Sequence, residues 1–440
     1  MTPVLTFWLP GVSILYIIAV LIAFWRGPGA RINLSILTIS CVVGIYMSEF
    51  LLITAGPHIT LPSEFDRRSK LQVVLDLRKS GQNVVPSVHP KNLLASSFKV
   101  GDAEVVPLGG ISQATTVFCN ETGKYYIYDS DEFGFTNPLG LYSKSQTKVA
   151  LIGDSFTQGF CAPFGASYAE RIRASIPGTL NLGNNGNGPL LELAAVREFL
   201  IPIKPQYVFW FYFEGNDVED LSREIANPVL ARYLADSKFS QQLMEREPET
   251  DKALRAFVET SITTELNQGF VKGKLSAAAE GFRLWSRLWH IRALLGINDI
   301  KREWILHQWN QKSSEQQVQV ALDQTLQQAK DLVEGWGGKF VVVYLPSYRT
   351  FGYRIQHPWR ERVLELLNNK GIQTIDLLPT FEVAADPFAL YNYRKEGHYT
   401  TLGNEVVADA VLDYLRKDGF QSVSTSMEPV QIAEKQNATR

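Results

Sequence analysis

Hydrophobic and polar positions divide the chain into stretches of different texture. No charged side chain occurs between Met1 and Trp25, and the run Leu5–Trp25 is long enough to cross a hydrocarbon core of about 30 Å as a helix. A second apolar run, from Ile32 to Ser48, continues past Glu49 into Phe50, Leu51, Leu52 and Ile53. Only Arg26-Gly-Pro-Gly-Ala-Arg31 separates the two, so the pattern predicts a transmembrane helical hairpin over residues 1–56 with both ends on one side. Trp8 and Trp25 fall at the two interfaces. Glu49 is expected at a helix end reaching the headgroups rather than as a functional carboxylate inside the bilayer. A cleaved signal peptide fits poorly, because the first run lacks a basic leader and is too long.

Residues 57–147 carry short alternating or aromatic-rich runs such as Lys124-Tyr-Tyr-Ile-Tyr128, broken by Gly109-Gly110 and Asn137-Pro138. They predict a small β-containing segment with no chemistry of its own. From residue 148 the pattern changes to continuous apolar runs alternating with helical stretches. Strands are predicted at Lys148–Ile152, Leu180–Leu182, Tyr207–Phe213, Phe340–Tyr344 and Thr374–Asp376, and helices at Leu190–Leu200, Gln316–Glu334, Glu361–Asn368 and Asn404–Arg416. Such runs belong to a parallel sheet covered on both faces, an α/β doubly wound layout whose ligands bind at the carboxyl ends of the strands. This unit spans 148–418 and is interrupted by a helical insertion over roughly 220–312. Within the insertion, Leu284, Leu288, Ile291 and Leu295 share one helical face with Arg283, Arg287 and Arg292 around the rest. That face is expected to pack on its own domain; a cap over the site and a place on the membrane surface beside the hairpin are the alternatives. The tail 419–440 is expected to be disordered.

Composition sharpens this picture in two ways. The mean hydropathy of -0.06 averages a charge-poor hairpin with a polar body. The 43 Lys+Arg against 45 Asp+Glu leave no global field for a polyanion, so no nucleic-acid partner is expected. Arg26 and Arg31 mark the hairpin loop as cytoplasmic, but Arg67, Arg68 and Lys70 beyond the second helix weigh against them. Cysteine placement breaks the tie: Cys41 lies inside the second helix, whereas Cys119 and Cys161 lie in the polar part. A pair there fits an oxidising compartment and a Cys119–Cys161 disulfide, with an extracytoplasmic body. Two separate buried thiols in a cytoplasmic domain is the other reading. The six histidines show no zinc-type spacing, and there is no P-loop or dinucleotide fingerprint, so neither a metal nor a cofactor is expected.

Candidate chemistry collects at predicted strand ends. The first strand runs into Gly153-Asp-Ser-Phe-Thr-Gln-Gly159, which places Ser155 in the crevice beside backbone N–H groups. The second ends in Asn181-Leu-Gly-Asn-Asn-Gly-Asn-Gly188, whose small residues let backbone N–H groups approach a substrate oxygen. The third ends in Glu214-Gly-Asn-Asp217 and offers the neutral amide of Asn216. Glu396-Gly-His398 follows the last strand, giving an imidazole base with a carboxylate two residues before it. Each element alone is an ordinary turn, loop or cap; four in this order at one sheet edge are not.

These blocks resemble those of the SGNH (GDSL-type) hydrolases. GDSFTQG matches the serine block at Ser155, NLGNNGNG the glycine block at Gly186, EGND the asparagine block at Asn216, and EGHYTTLGN the histidine block at His398. The resemblance implies a flavodoxin-like α/β/α sandwich in which Ser155 attacks an ester carbonyl and His398 takes its proton. The N–H groups of Ser155 and Gly186 would then form the oxyanion hole with the Asn216 amide. The family usually has aspartate shortly before its histidine; here the nearest acid is Glu396, with Asp386 as a weaker candidate. No G-x-S-x-G elbow is present, which argues against the α/β-hydrolases. The expected function is a membrane-anchored serine esterase acting on O-acyl, chiefly acetyl, groups of envelope or exported polysaccharide, with a lipid substrate also open. The alternatives are an O-acyltransferase with the same triad and a non-catalytic polysaccharide-assembly component with a degenerate site.

Overall fold

The computed structural model describes residues 16–55, 66–94, 98–268, 282, 285–288, 291, 314–352, 357–394 and 397–420. Two apolar helices, Tyr16–Arg26 and Pro28–Ala55, open it. The predicted six-residue turn is in fact the single residue Gly27, whose φ of 98° glycine adopts without steric cost. Helix resumes at once because Pro28 needs no N–H partner in a first turn. The pair folds back on itself: the Arg31 guanidinium donates to the Phe24 carbonyl at 3.3 Å, and the hydroxyls of Tyr16 and Thr38 meet at 3.2 Å. Pro28–Leu51, with a mean hydropathy of 1.8, is long and apolar enough to cross a membrane. Much of the first apolar run, Trp8 included, lies outside the described residues, as does nearly all of the tail from 421 onward. Ile17, Leu21, Ile32, Ile36, Leu37, Ile39 and Phe50 all face outward, an apolar coat of the kind that marks a membrane or partner surface.

The accessory segment follows. A three-stranded sheet is built from β1 (Val84–Pro86), β4 (Thr115–Cys119) and β5 (Tyr126–Asp129), with β1 parallel and β5 antiparallel to the central β4. A small antiparallel pair, β2 (Lys99–Val100) and β3 (Ala103–Glu104), lies between them in sequence.

The main sheet holds β6 (Val149–Ile152), β7 (Thr179–Asn181), β8 (Tyr207–Phe213), β9 (Lys339–Leu345) and β10 (Gln373–Asp376). All neighbours are parallel, in the spatial order β10-β9-β8-β6-β7. Counted from β6 this is the doubly wound order 2-1-3-4-5, so the winding reverses between β6 and β8 and opens a crevice at their carboxyl ends. Strand alternation explains why the runs lack a polar period. Ala150, Ile152, Val208, Trp210, Val342 and Tyr344 face one apolar layer, whereas Val149, Leu151, Phe209, Phe211, Val341 and Val343 face the other. Helices Pro189–Ala195, Asp217–Glu224, Glu315–Gly335 and Arg360–Asn369 cover the first face; Tyr168–Ser175 and Thr401–Lys417 cover the second. Accessory side chains including Val85, Leu93, Leu108 and Phe135 join the first layer as one continuous cluster.

The insertion begins with helices Asp217–Glu224, Pro228–Ala235 and Glu247–Gln268. Of the amphipathic stretch, Arg283, Leu284, Arg292 and Leu295 lie outside the described residues. Its described residues meet the helix Pro28–Ala55: Tyr46 and Trp285 rings are 5.0 Å apart, and the Tyr46 hydroxyl donates to the Ser286 carbonyl at 3.2 Å. One expectation is corrected there. Glu49 does not reach outward. It is fully buried and accepts the Ile291 N–H at 2.8 Å, because the insertion covers the polar position that the apolar helix cannot shield.

Trp210 is fully buried at the centre of β8, and its indole N–H has no partner among the described residues. Trp210→Ala is therefore expected to cost about 3–5 kcal/mol and Trp210→Phe clearly less, as read by thermal unfolding of the detergent-solubilised chain.

Candidate active site

The nucleophile position is set by the end of β6. Gly153 packs so closely that a Cβ there would lie 2.0 Å from the Thr157 hydroxyl, which requires glycine at the turn. Asp154 then caps the short helix Ser155–Gln158, its carboxylate accepting the Phe156 N–H at 2.9 Å. Ser155 sits at the helix start with its Oγ 3.4 Å from Asp154 Oδ2. Gly159, at φ 81°, ends the helix after one turn.

His398 comes to this serine from the other end of the domain. Its Nε2 is 2.8 Å from Ser155 Oγ, and its Nδ1 is 2.9 and 3.1 Å from the two carboxylate oxygens of Glu121. Phe160 stacks on the imidazole at 4.5 Å, and the Phe156 ring lies 4.8 Å from it. The carboxylate facing His398 therefore comes from the accessory segment, two residues past the end of β4, in a stretch expected to hold no chemistry. Glu396 lies outside the described residues. Asp386 is half-buried and paired with Arg394, whose guanidinium holds its carboxyl below the usual range. It takes no part in the line.

The Cys119–Cys161 disulfide is present and belongs to this arrangement. It ties the end of β4 to the loop after the nucleophile helix, and the Glu121 N–H points at Cys161 Sγ from 3.0 Å. The Tyr393 hydroxyl donates to the Glu121 carbonyl, so the loop before His398 holds the same residue from the other side. Nothing in the sequence marked Glu121 as an acid, since it stands 277 positions from its histidine. The one signal was the cysteine pair, which brackets Glu121 and Ser155 together.

Gly186 follows β7 with φ 74°, a conformation that side chains disfavour. Asn216 begins the helix after β8; its amide donates to Asp220 at 2.7 Å and also neighbours the Asp154 carboxyl. Both positions therefore stand on the loops that follow the strands flanking β6.

Beneath the serine lies a set of buried carboxyl groups. Burial pushes Asp154 up to about 6, partly offset by the Phe156 N–H and by His398. Burial likewise pushes Glu224 up to about 7, although three backbone N–H groups at the start of helix Pro189–Ala195 hold it down. Glu192 and Asp217 are raised well above the carboxylate range by burial and by their acidic neighbours. Neither oxygen of Glu192 has a hydrogen-bond partner among the described residues.

No protein-family model matches the chain, and no curated protein matches it by sequence. Solved structures do, and many are described as G-D-S-L lipolytic proteins or acetyl esterases. An acetyl-xylooligosaccharide esterase from Geobacillus is 16% identical with a TM-score of 0.33, covering 65% of this chain and 100% of that one. A G-D-S-L family lipolytic protein from Veillonella parvula is 12% identical with a TM-score of 0.31, covering 62% and 99%. The lipase/acylhydrolase of Enterococcus faecalis is 11% identical with a TM-score of 0.32, covering 62% and 96%.

Alkylation of the denatured, unreduced chain is expected to modify Cys41 alone, and all three cysteines after reduction; mass spectrometry reads the difference. For Glu192, a native pKa above its ordinary value of 4.5 means that the folded state holds a proton the unfolded chain has released. Its presence therefore costs more stability as pH rises above that ordinary value. Glu192→Gln is expected to flatten the fall in Tm between about pH 5 and about pH 8, measured by thermal scans of both proteins.

Proposed function

We propose that the chain is a membrane-anchored serine esterase of the SGNH type that hydrolyses O-acyl, chiefly acetyl, esters on envelope or exported glycans. The observation that carries this reading is the unbroken line from Ser155 Oγ through the His398 ring to the Glu121 carboxylate, with hydrogen-bond distances of 2.8 and 2.9 Å. A serine hydroxyl is a weak nucleophile until a base takes its proton, and an imidazole is a better base when a carboxylate fixes its tautomer and balances its charge.

In this reading His398 Nε2 accepts the Ser155 proton as Oγ attacks the acyl carbonyl. Glu121 accepts the Nδ1–H throughout. The carbonyl oxygen gains charge and is met by the N–H groups of Ser155 and Gly186 and by the Asn216 amide. His398 then returns its proton to the departing sugar oxygen, leaving an acyl-serine. Water enters and attacks the acyl carbon as His398 takes its proton; the bond to Ser155 Oγ then breaks, His398 returns that proton to Oγ, and the acyl group leaves as the free acid. Phe160 and Phe156 hold the ring in the plane this relay needs.

Location supports the substrate class. The helix Pro28–Leu51, long and apolar enough to cross a membrane, supports an anchor there, and the disulfide suits an oxidising compartment, which favours the extracytoplasmic side. Esters within reach there are those of envelope material. The non-catalytic alternative drew on the lack of an aspartate before His398; a carboxylate on Nδ1 from Glu121 removes that motive.

A fluorophosphonate probe and an activated acetyl ester test the reading on the detergent-solubilised chain. Labelling and turnover are expected in the wild type and lost in Ser155→Ala. Glu121→Gln is expected to lower kcat by about 10²–10⁴-fold, and Asn216→Ala by about 10²–10³-fold. Turnover that survives Glu121→Gln but fails in Glu396→Gln would return the acid to the position before the histidine.

A further inference from the structure

One cationic side chain packs on the loop that carries Gly186, and two more lie within its electrostatic reach. Lys91, in the short turn Pro90–Asn92 of the accessory segment, donates to Asn185 Oδ1 at 2.9 Å. Its chain lies directly against Gly186: a Cβ there would stand 2.1 Å from Lys91 Cδ and 2.8 Å from Nζ. The charge also acts on Asp154 beside the nucleophile, so the ammonium belongs to the site rather than to a remote surface. Arg223, on the helix that Asn216 begins, is close enough to depress the Lys91 amine, while its own guanidinium is held by Asp220. Lys70, half-buried, donates to Ser87 Oγ at 2.7 Å and is pushed down to about 8 by burial and by Lys91.

Between the lysines sits His89, buried, with Nδ1 2.9 Å from Asn184 Oδ1 and Nε2 3.2 Å from Ser87 Oγ. Burial takes it down to about 4, so it is neutral and offers no charge of its own. Among the described residues neither lysine has a carboxylate partner. An exposed ammonium fixed against the Gly186 loop, and in the field of Asp154, presents positive charge to whatever lies in the crevice and favours a ligand with an anionic group.

We propose that Lys91, backed by Arg223 and Lys70, binds an anionic group on the glycan next to the scissile ester, so that the substrate is an acidic acylated glycan of the uronate kind. The inference rests on the esterase reading for the ester but not for the charge. A neutral acetylated glycan would make no use of the Lys91 charge. The planar carboxylate of a uronic acid sits within one sugar ring of an O-acetyl group, which matches a cation placed against the oxyanion loop itself. The effect belongs to low and moderate ionic strength, because Lys91 is exposed enough to be screened by salt.

Binding is tested without turnover. Full-length Ser155→Ala protein in detergent is titrated calorimetrically with a de-esterified oligogalacturonide, with its methyl-esterified form, and with a neutral xylo-oligosaccharide. The acid form is expected to bind at least tenfold more tightly than either neutral ligand. Lys91→Gln in the same background is expected to erase most of that preference, and Lys91→Arg to keep it. Equal affinity for charged and neutral ligands, or a preference that survives Lys91→Gln, overturns the proposal. A phosphorylated oligosaccharide that binds tightly while the oligogalacturonide does not also overturns the carboxylate assignment. Turnover of the activated acetyl ester by the wild type is measured separately, so its absence would sink the esterase reading and leave the charge preference to stand or fall alone.

Discussion

The His398 imidazole is held from both sides by residues 243 and 277 positions away in the chain, and the rest of the site depends on that double hold. One partner stands on the main sheet and the other on the accessory sheet. The line therefore exists only while the two sheets are docked. Much of the surrounding structure secures that docking. The disulfide ties β4 to the loop after Ser155, and the apolar cluster runs without a break from Val85 to Trp210. Asn137 exchanges hydrogen bonds with the Asn181 backbone at 2.8 Å each, and Asn184 reaches the Leu108 carbonyl at 3.0 Å. A covalent link placed two residues from Glu121 limits the motion that would most disturb its contact with His398. It does so without placing a charged group inside the sandwich.

Beneath this line the protein carries an electrostatic burden. Asp154, Glu192, Asp217 and Glu224 are all buried within reach of one another's fields. Ionised together they would repel in a poorly solvated interior, so burial raises their pKa values and keeps protons among them. Asp154 and Glu224 recover part of the cost by capping helix starts, where backbone N–H groups point at them. Stability given up near a site in exchange for fixed polar groups is a common compromise.

The amino-terminal helices and the insertion form a second region with its own logic. A buried carboxylate in an apolar helix needs a donor, and the insertion supplies one from its backbone to Glu49. Tyr46 and Trp285 surround that contact with aromatic surface. The insertion thus meets the apolar helix through a few specific polar contacts, while the apolar coat faces outward.

Much of the sandwich was legible in the residues themselves. Continuous apolar runs marked β6, β8 and β9, because a strand buried on both faces has no polar period to obscure it. Ser155, Gly186 and Asn216 were expected at one edge because strand ends of a parallel sheet share it; His398, well past β10, is brought to Ser155 by the fold. Glu121 was not legible, since a carboxylate beyond an unremarkable strand declares nothing until β4 docks beside β6 and the Cys119–Cys161 bridge closes. The places of Glu49 and of Lys91 against Gly186 were likewise decided only in three dimensions. Local periodicity determines which segments are buried and in what form; which charged side chains then face one another depends on contacts between segments hundreds of residues apart, and only the tertiary structure decides those.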